Sequence, residues 1–361
     1  MKNYKRLGDY IREVNVRNRE LEVTKLVGLT IDKAFIPSVA NVIGTDLSNY
    51  KIIRKEQFAC SLMQVSRDGK MPVAMFEEDE AIMSPAYPMF EVIDKETLLP
   101  QYLMMWFSRS EFDREASYYA VGGVRGSLTW EDFCNMQLPI PSITRQCEIV
   151  AEYETLTRRI RINEQMIQNL ESTAQTLYRK MFVDGIDKEN LPDGWRMGTL
   201  GEVATFKYGK LAQKHPKSSK FPYPVFSGYA ITGYTNEYTL KERTIVIIAR
   251  GDAGTGKICM APQKCFLSNL AIAIETKDMA IKDYLYYHLL DSDTMSLRSG
   301  SAQAQITINN IEPFEITIPS NEICIVFSQY VESLYNDILL RTEENLKLNE
   351  LQSLLLAKMG Q

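Results

Sequence analysis

The stretch that decides the architecture runs from Leu128 to Met181, opening as LTWEDFCNMQLPIPS and closing as QTLYRKM. Moved by 178 residues, it falls without a gap on Ile306 to Met359, which opens as ITINNIEPFEITIPS and closes as SLLLAKM. Thr129 meets Thr307, Ile140-Pro141-Ser142 meets Ile318-Pro319-Ser320, and Glu154 meets Glu332. Leu156, Ile160, Leu170, Leu177, Lys180 and Met181 meet Leu334, Ile338, Leu348, Leu355, Lys358 and Met359. One offset held over 54 residues is an internal duplication. Two copies are too few for a solenoid. The pattern predicts an α+β chain of two similar halves, each a globular unit followed by a long helix.

The helical part has a period. Ile149, Tyr153, Leu156, Ile160, Asn163, Ile167, Leu170, Ala174, Leu177 and Met181 step by four and three, the a/d seam of a coiled coil. The second copy reads Phe327, Val331, Leu334, Ile338, Arg341, Asn345, Leu348, Gln352, Leu355 and Met359. Helices of ~40 residues are ~60 Å long at ~1.5 Å per residue, and within one chain each has the other as its natural partner. Antiparallel pairing sets facing residue numbers to sum to about 508. It places Tyr153 against Leu355, Ile160 against Leu348, Leu177 against Val331, and Asn163 against Asn345. Two polar residues that meet in a seam can hydrogen-bond and fix the register; alternatively, both merely tolerate a wet mid-helix surface. Arg341 falls opposite Ile167, and either reaches past it to solvent or finds Glu164.

Composition bounds the rest. The chain has 361 residues, 45% of them apolar, enough for two domains with real cores. No run of 18 apolar residues could span a membrane, and MKNYKRLGDYIREVN lacks the apolar stretch of a secretory signal. Cys60, Cys134, Cys147, Cys259, Cys265 and Cys324 are scattered without a CxxC pair. They read as buried free thiols in a reducing, cytoplasmic setting. His215 and His288 are the two histidines, which argues against zinc or histidine-based catalysis. Neither a metal nor another cofactor is expected.

The net charge of −5 hides a pattern. Residues 1–141 carry 17 basic and 20 acidic side chains, whereas residues 195–318 carry 14 and 11. Between Glu202 and Glu237 there is no acid. That window holds Lys207, Lys210, Lys214, His215, Lys217 and Lys220, interleaved with Phe206, Tyr208, Phe221, Tyr223, Phe226 and Tyr229. Cations neutralise phosphates, and aromatics pack on sugars or bases; the same window also fits a solvated lysine loop.

Outward from the repeat, Leu7-Gly8-Asp9 and Leu200-Gly201-Glu202 match as starts of the two units. Lys51, Arg54 and Lys55 surround an apolar pair. Ala59–Met75 reads as strands around the turn Ser66-Arg67-Asp68-Gly69-Lys70. Its counterpart is the strand Thr244–Ala249, the turn Arg250–Lys257 and a return strand. Short helices are expected at Pro100–Phe107 and Lys282–Leu289, with Pro100 in a first turn and Asp283 as N-cap. Their aromatic stripe, with His288, reads as core. The glycine/serine loops Gly122–Ser127, with Arg125, and Ser299–Gln305, with Ser301 and Gln303, can let backbone amides approach a phosphate. They also fit plain connections.

Two motifs fall short. Gly251–Lys257 spells GxxxxGK, but Ile258 follows where a phosphate loop needs Ser or Thr, and ICMAPQKCF reads as strand rather than helix. Ser84-Pro85-Ala86-Tyr87 resembles the loop of amino-methyltransferases, but Ala86 replaces its second proline and no glycine-rich cofactor loop precedes it.

The order of these parts, done twice, resembles the specificity (S) subunit of a Type I restriction-modification system. GSAQAQITINNIEPFEITIPS, RGDAGTG, Trp195 after LPDG and the two helices carry the resemblance, which covers the whole chain. The first half departs from it, with GVRGSLTW in place of the GSAQ form. The resemblance implies two target-recognition domains, at 1–141 and 195–318, each reading half of a bipartite DNA site. Spacer helices at 142–183 and 319–361, with a linker at 184–194, would pair antiparallel with pseudo-two-fold symmetry and dock two methyltransferase subunits. A restriction motor-nuclease subunit joins for cleavage, and the S subunit has no catalysis of its own. The candidate DNA contacts are Lys51, Arg54, Lys55, Arg67, Lys70, Arg125, Lys207, Tyr208, Lys210, Lys214, Lys217, Lys220, Tyr229, Arg250, Lys257, Ser301 and Gln303. The rival readings are an interaction scaffold without a DNA role and a degenerate methyltransferase.

Overall fold

The computed structural model describes every residue except 1–3, 39–43, 64, 122–125, 188, 252–253, 300–303 and 361. The chain divides into two compact units: residues 1–163 with 342–361, and residues 164–341.

In the first unit, β1 (Tyr4–Arg6), β2 (Ile11–Glu13), β3 (Val27–Leu29), β4 (Phe35–Pro37), β5 (Lys51–Arg54), β6 (Phe58–Cys60), β7 (Val73–Met75), β8 (Glu80–Met83), β9 (Met89–Val92) and β10 (Gln137–Pro139) accompany four helices, α1 (Val65–Asp68), α2 (Pro100–Phe107), α3 (Ser110–Ala120) and α4 (Trp130–Asn135). The centre is an antiparallel sheet in the order β2-β9-β6-β7. Against it pack Phe58, Phe90, Phe107, Phe112 and Phe133, a ring cluster with centroids 4.9 to 6.1 Å apart. The apolar stripe of α2 is core, as expected, and Pro100 sits in its first turn, where a missing N–H costs nothing. The turn expected at Ser66–Lys70 is largely the one-turn helix α1.

The second unit repeats this frame. Its strands are β11 (Arg196–Thr199), β12 (Ala204–Tyr208), β13 (Tyr223–Phe226), β14 (Ile231–Thr235), β15 (Thr244–Ile248), β16 (Ile258–Ala261), β17 (Phe266–Leu267), β18 (Ala271–Thr276) and β19 (Glu315–Ile318). The long helix α5 (Ile143–Phe182) enters this unit at residue 164, and α6 (Leu200–Val203), α7 (Lys282–Asp291), α8 (Ile308–Ile311) and α9 (Asn321–Met359) follow. The sheet order β12-β18-β15-β16 is that of the first unit, strand for strand. The duplication therefore reaches well beyond the stretch that aligns in sequence. Strand β1 pairs antiparallel with β10 as β11 does with β19. Thr129 caps α4 and Thr307 caps α8, the latter in a reciprocal box with Asn310. The hydroxyl of Tyr102 donates to the carbonyl of Pro139 (3.1 Å), and that of Tyr284 to Thr317 (2.5 Å). Asp283 is not the cap of α7; Ile281 holds that position, and Asp278 caps the 3-10 turn Met279–Ile281 before it.

Every seam position expected on α5 and α9 is buried or half-buried. In the first unit, residues 143–163 lie antiparallel to residues 342–359. Asn163 Nδ2 donates to Asn345 Oδ1 (2.9 Å) and to Glu344 Oε2 (2.8 Å), and Arg159 grips Glu344 with two bonds of 2.8 and 3.0 Å. The polar layer thus forms at the expected register and recruits an ion pair besides. In the second unit, Tyr178 and Phe182 pack on Phe327, with centroids 6.4 and 5.2 Å away, and Leu177 shares a core with Val331. Arg341 does not pair with Glu164; its terminal nitrogen meets the exposed Asp337 at 3.7 Å on its own helix, while its Nε is buried without an acceptor. Among the cysteines, all free, Cys60, Cys265 and Cys324 are buried, whereas Cys147 is exposed on the first turns of α5.

Candidate nucleic-acid interface

Antiparallel pairing decides which loops share an end of each sheet. In the second unit, Tyr208↔Ile272, Ile248↔Ala271 and Ile247↔Ile258 put the close of β12, the β15–β16 connection and the start of β18 at one end. Backbone bonds then draw further loops there. Gly209 N donates to Ala271 O, Arg250 N and Ala249 N to Leu270 O, Lys210 N to Leu267 O, and Ile306 N to Ala249 O. Tyr208, Lys210, Arg250, Lys257 and the 299–305 loop therefore sit around a single backbone segment, residues 267–271. Residues 301–303, with the candidates Ser301 and Gln303, lie outside those described, although Ser299 and Gln305 pair across them.

The connection from Arg250 to Lys257 is a hairpin, because β16 follows it; the GxxxxGK pattern is not a phosphate loop. Its far side is pinned. Arg298 donates to the carbonyl of Thr255 (2.8 Å) and Thr294 Oγ1 to Gly256 (2.6 Å). Tyr229 lies so close over Gly254 that a Cβ there would stand 1.5 Å from its hydroxyl. Arg250 and Lys257 remain exposed.

The acid-free window supplies the flank. Lys214, Lys217 and Lys220 are exposed on the loop after β12. That loop is organised by His215, which stacks on Phe221 at 3.9 Å, and by backbone pairing of His215 with Tyr234. Lys217 lies 5.8 Å over the ring of Tyr234 and Lys220 5.5 Å over Phe221. Lys207 is committed differently, to Glu275 at 2.6 Å across the β12–β18 pair. The hydroxyl of Tyr208 accepts from Ile308 N (3.2 Å), and about half of its surface stays exposed. The stacking role of His215 had no signature beyond its place among aromatics.

In the first unit the equivalent end holds the close of β2, the β6–β7 connection and the start of β9. The glycine/serine loop joins it as in the other copy: Leu128 N donates to Leu62 O, where Ile306 N donates to Ala249 O, and Ser66 meets Gly126. Lys70 is exposed here and pairs with Asp32 at 3.1 Å. Arg67 lies on α1, with a side chain outside those described, and Arg125 falls in a segment outside the described residues. The structure splits the rest of the first-unit set. Lys51 reaches this end but is buried, its ammonium donating to the carbonyl of Tyr87 (2.8 Å), and burial holds its pKa below the ordinary lysine value. Arg54 and Lys55 are exposed at the opposite end of the sheet, where Arg54 faces Glu80 at 3.6 Å. The alternation of β5 explains this: residues that surround an apolar pair in sequence point to different faces and ends in space.

His288 is packed, as read from sequence. Its Nδ1 stands 3.0 Å from the hydroxyl of Tyr178 and 3.3 Å from that of Tyr284, and burial raises both phenols well above their ordinary range. Among the described residues no cluster of three His, Cys, Asp or Glu is placed to hold a metal ion, and no helix is long and apolar enough to cross a membrane.

The family model for the Type I restriction modification DNA specificity domain matches residues 192–350. No curated protein matches in sequence. Among solved structures, the Type I restriction-modification S subunit from M. genitalium is similar over 100% of this chain and 96% of its own, with a TM-score of 0.62 at 16% identity. The HsdS subunit from Thermoanaerobacter tengcongensis covers 99% of this chain and 96% of its own at 19% identity, with a TM-score of 0.38. The first of these shares the fold, two α/β units and two long helices. Residues 192–350 thus match the Type I restriction modification DNA specificity domain, and along its whole length the chain shares the fold of the S subunit from M. genitalium.

Proposed function

We propose that the chain is the DNA-reading, non-catalytic subunit of a Type I restriction-modification complex. Residues 1–141 and 195–318 each read one half of a bipartite duplex site. The observation that carries this is the second unit's sheet end. Lys210, Arg250 and Lys257 are exposed around one backbone segment, Lys214, Lys217 and Lys220 are exposed on the loop after β12, and the window between Glu202 and Glu237 that holds four of these lysines contains no acid. Phosphates of a duplex are the ligand such a surface neutralises, and the loops beside it are positioned to meet base edges. The long helices are the docking surface for two methyltransferase subunits, and a motor-nuclease subunit completes the assembly. Exposed Leu339, Leu340, Leu346, Leu351 and Leu354 on α9 support that part, because a row of leucines left in water marks a surface that a partner covers.

The test is duplex binding as a function of salt, with and without a methyltransferase partner. Binding that weakens linearly in log–log form with salt, at about 0.9 per phosphate contact, is expected. Salt-independent or absent binding under both conditions would instead favour an interaction scaffold, and methyl transfer by the rigorously purified chain would favour an enzyme.

A further inference from the structure

The second unit presents its cations in two ways. Lys214, Lys217 and Lys220 are exposed on the loop after β12. Arg250 and Lys257 are exposed at the two feet of the β15–β16 hairpin, and the described part of that hairpin is fixed from several sides. Gly254, Thr255 and Gly256 are buried. Within the hairpin, Thr255 Oγ1 donates to Gly251 O (2.7 Å) and Gly256 N to Ile248 O (2.8 Å). From outside, the 3-10 turn Thr294–Leu297 and Arg298 brace it. Thr294 Oγ1 donates to Gly256 O, and Arg298 places both Nε and Nη2 on Thr255 O, at 2.8 and 2.5 Å. A Cβ on Gly256 would stand 3.0 Å from Thr294 O and from Met295 Cα, and its φ of +92° suits glycine alone. The other foot is tied as well, because Arg250 N donates to Leu270 O and Ile306 N to Ala249 O.

Fixing of this kind does little for charge. A mobile lysine neutralises a phosphate as well as a fixed one does, whereas a base edge is read only by a group held within about 0.5 Å of its place. We infer that the hairpin from Arg250 to Lys257 reads bases of the second half-site, with Thr294 and Arg298 as its positioning residues, while the lysines after β12 meet phosphates. This rests on the DNA-reading role proposed above. With Nε and Nη2 committed to Thr255 O, Arg298 acts through the hairpin rather than as one more phosphate contact. Asp293, the acid beside Thr294, is committed too, its carboxylate accepting from Ser296 N at 3.3 Å. A hairpin set in advance loses little freedom on binding and does not adapt to a wrong base.

The experiment compares the full wild-type chain with T294V, R298M and R298K. It uses selection of duplexes from a random pool, binding across a salt series, and hydrogen exchange of the free protein. T294V removes the brace without changing charge. In T294V and R298M the first half-site is expected to stay sharp, which also serves as the folding control, while base preference in the second half-site blurs. Affinity for the wild-type sequence falls roughly tenfold, about what one base pair contributes. The salt slope stays unchanged, and the amides of Gly256 and Lys257 exchange faster. R298K, which can still donate to Thr255 O, recovers part of the preference. A slope lowered by about 0.9 in R298M with T294V unaltered would make Arg298 a phosphate contact and overturn the inference. A second half-site still sharp in both variants would overturn it as well. So would loss of both half-sites, which would mean that the brace holds the fold rather than the hairpin. If the wild-type chain enriches nothing, the DNA-reading role itself fails, and base reading by the hairpin with it.

Discussion

At the second unit's sheet end, Lys210, Arg250 and Lys257 stand exposed around residues 267–271, and Lys214, Lys217 and Lys220 are exposed on the loop after β12. At the matching end of the first unit, Lys70 is engaged by Asp32 and Lys51 is buried under the carbonyl of Tyr87. The frames beneath are the same: one sheet order, one capping threonine, one tyrosine tied to the strand before the long helix. What the copies share is what positions the loops; where they differ is in what the loops present. The proposed reading of a site in two parts would need this division, because each half must then recognise something different from an equivalent support.

The two ends separate most sharply under charge reversal. Changing Lys210, Lys214, Lys217 and Lys220 to Glu should weaken duplex binding at least about a hundredfold for all sequences and flatten the salt slope by roughly 0.9 for each phosphate no longer neutralised. Lys70→Glu in the first unit should cost less than about tenfold, since Asp32 already neutralises it. Equal weakening by both changes, measured by fluorescence anisotropy across a salt series, would erase the distinction between the two ends.

Alkaline pH separates the units by their phenols. Burial raises Tyr178 and Tyr284 in the second unit and holds Tyr286 up at about 12, whereas the first unit has Tyr102, also at about 12, and a raised Tyr153. A group whose folded pKa exceeds its unfolded value contributes stability that is present below the unfolded pKa, here about 10, and lost as pH climbs toward the folded one. The loss is about 1.4 kcal/mol per phenol per pH unit. The second unit should therefore yield first above pH ~10. Trp195, packed 5.8 Å from Phe182, reports this by fluorescence in a W106F/W130F chain. Simultaneous unfolding, or prior loss of the first unit, would contradict the ordering.

The polar seam residues should respond with opposite signs. Asn163→Ala leaves the half-buried Asn345 and Glu344 short of a donor, partly offset because it also removes an Oδ1 buried without a partner, and should lower stability by about 1 kcal/mol. Arg341→Leu removes a buried Nε without an acceptor and should be neutral or raise stability by up to about 1 kcal/mol. Urea midpoints at constant m decide both. Effects no larger are expected from the paired caps. Thr129→Ala and Thr307→Ala should each cost about 1 kcal/mol, with Thr307 the larger because its box with Asn310 is reciprocal. A null result at both positions would mean that the frame does not depend on the residues the copies share.

Much of this frame is readable before folding, because duplication, heptads and hairpins are patterns along the chain. Asn163 and Asn345 can be paired by register alone, and the β15–β16 hairpin by its alternation. The sheet order is not readable that way, since β2 and β9 meet across some 80 residues with no local mark of it. Lys51 looks like a surface cation because its charge is visible in sequence and the carbonyl of Tyr87 above it is not. Arg54 and Lys55 group with it by adjacency, which a strand turns into separation.

The first unit is discontinuous, and synthesis runs in one direction. Its core takes in Met359, its Arg109 donates to the carbonyl of Leu356, and its Tyr4 to that of Gly360. Residues 1–163 leave the ribosome early, but residues 342–361 follow only about 180 residues later. At roughly 5–20 residues per second that interval is on the order of ten to forty seconds. During it Val150, Tyr153 and Asn163 have no helix to meet, while the contiguous residues 164–341 emerge as a complete unit. The half made first is therefore the half finished last, and its bare helix face is open to chaperones, or to any waiting subunit, for as long as translation takes.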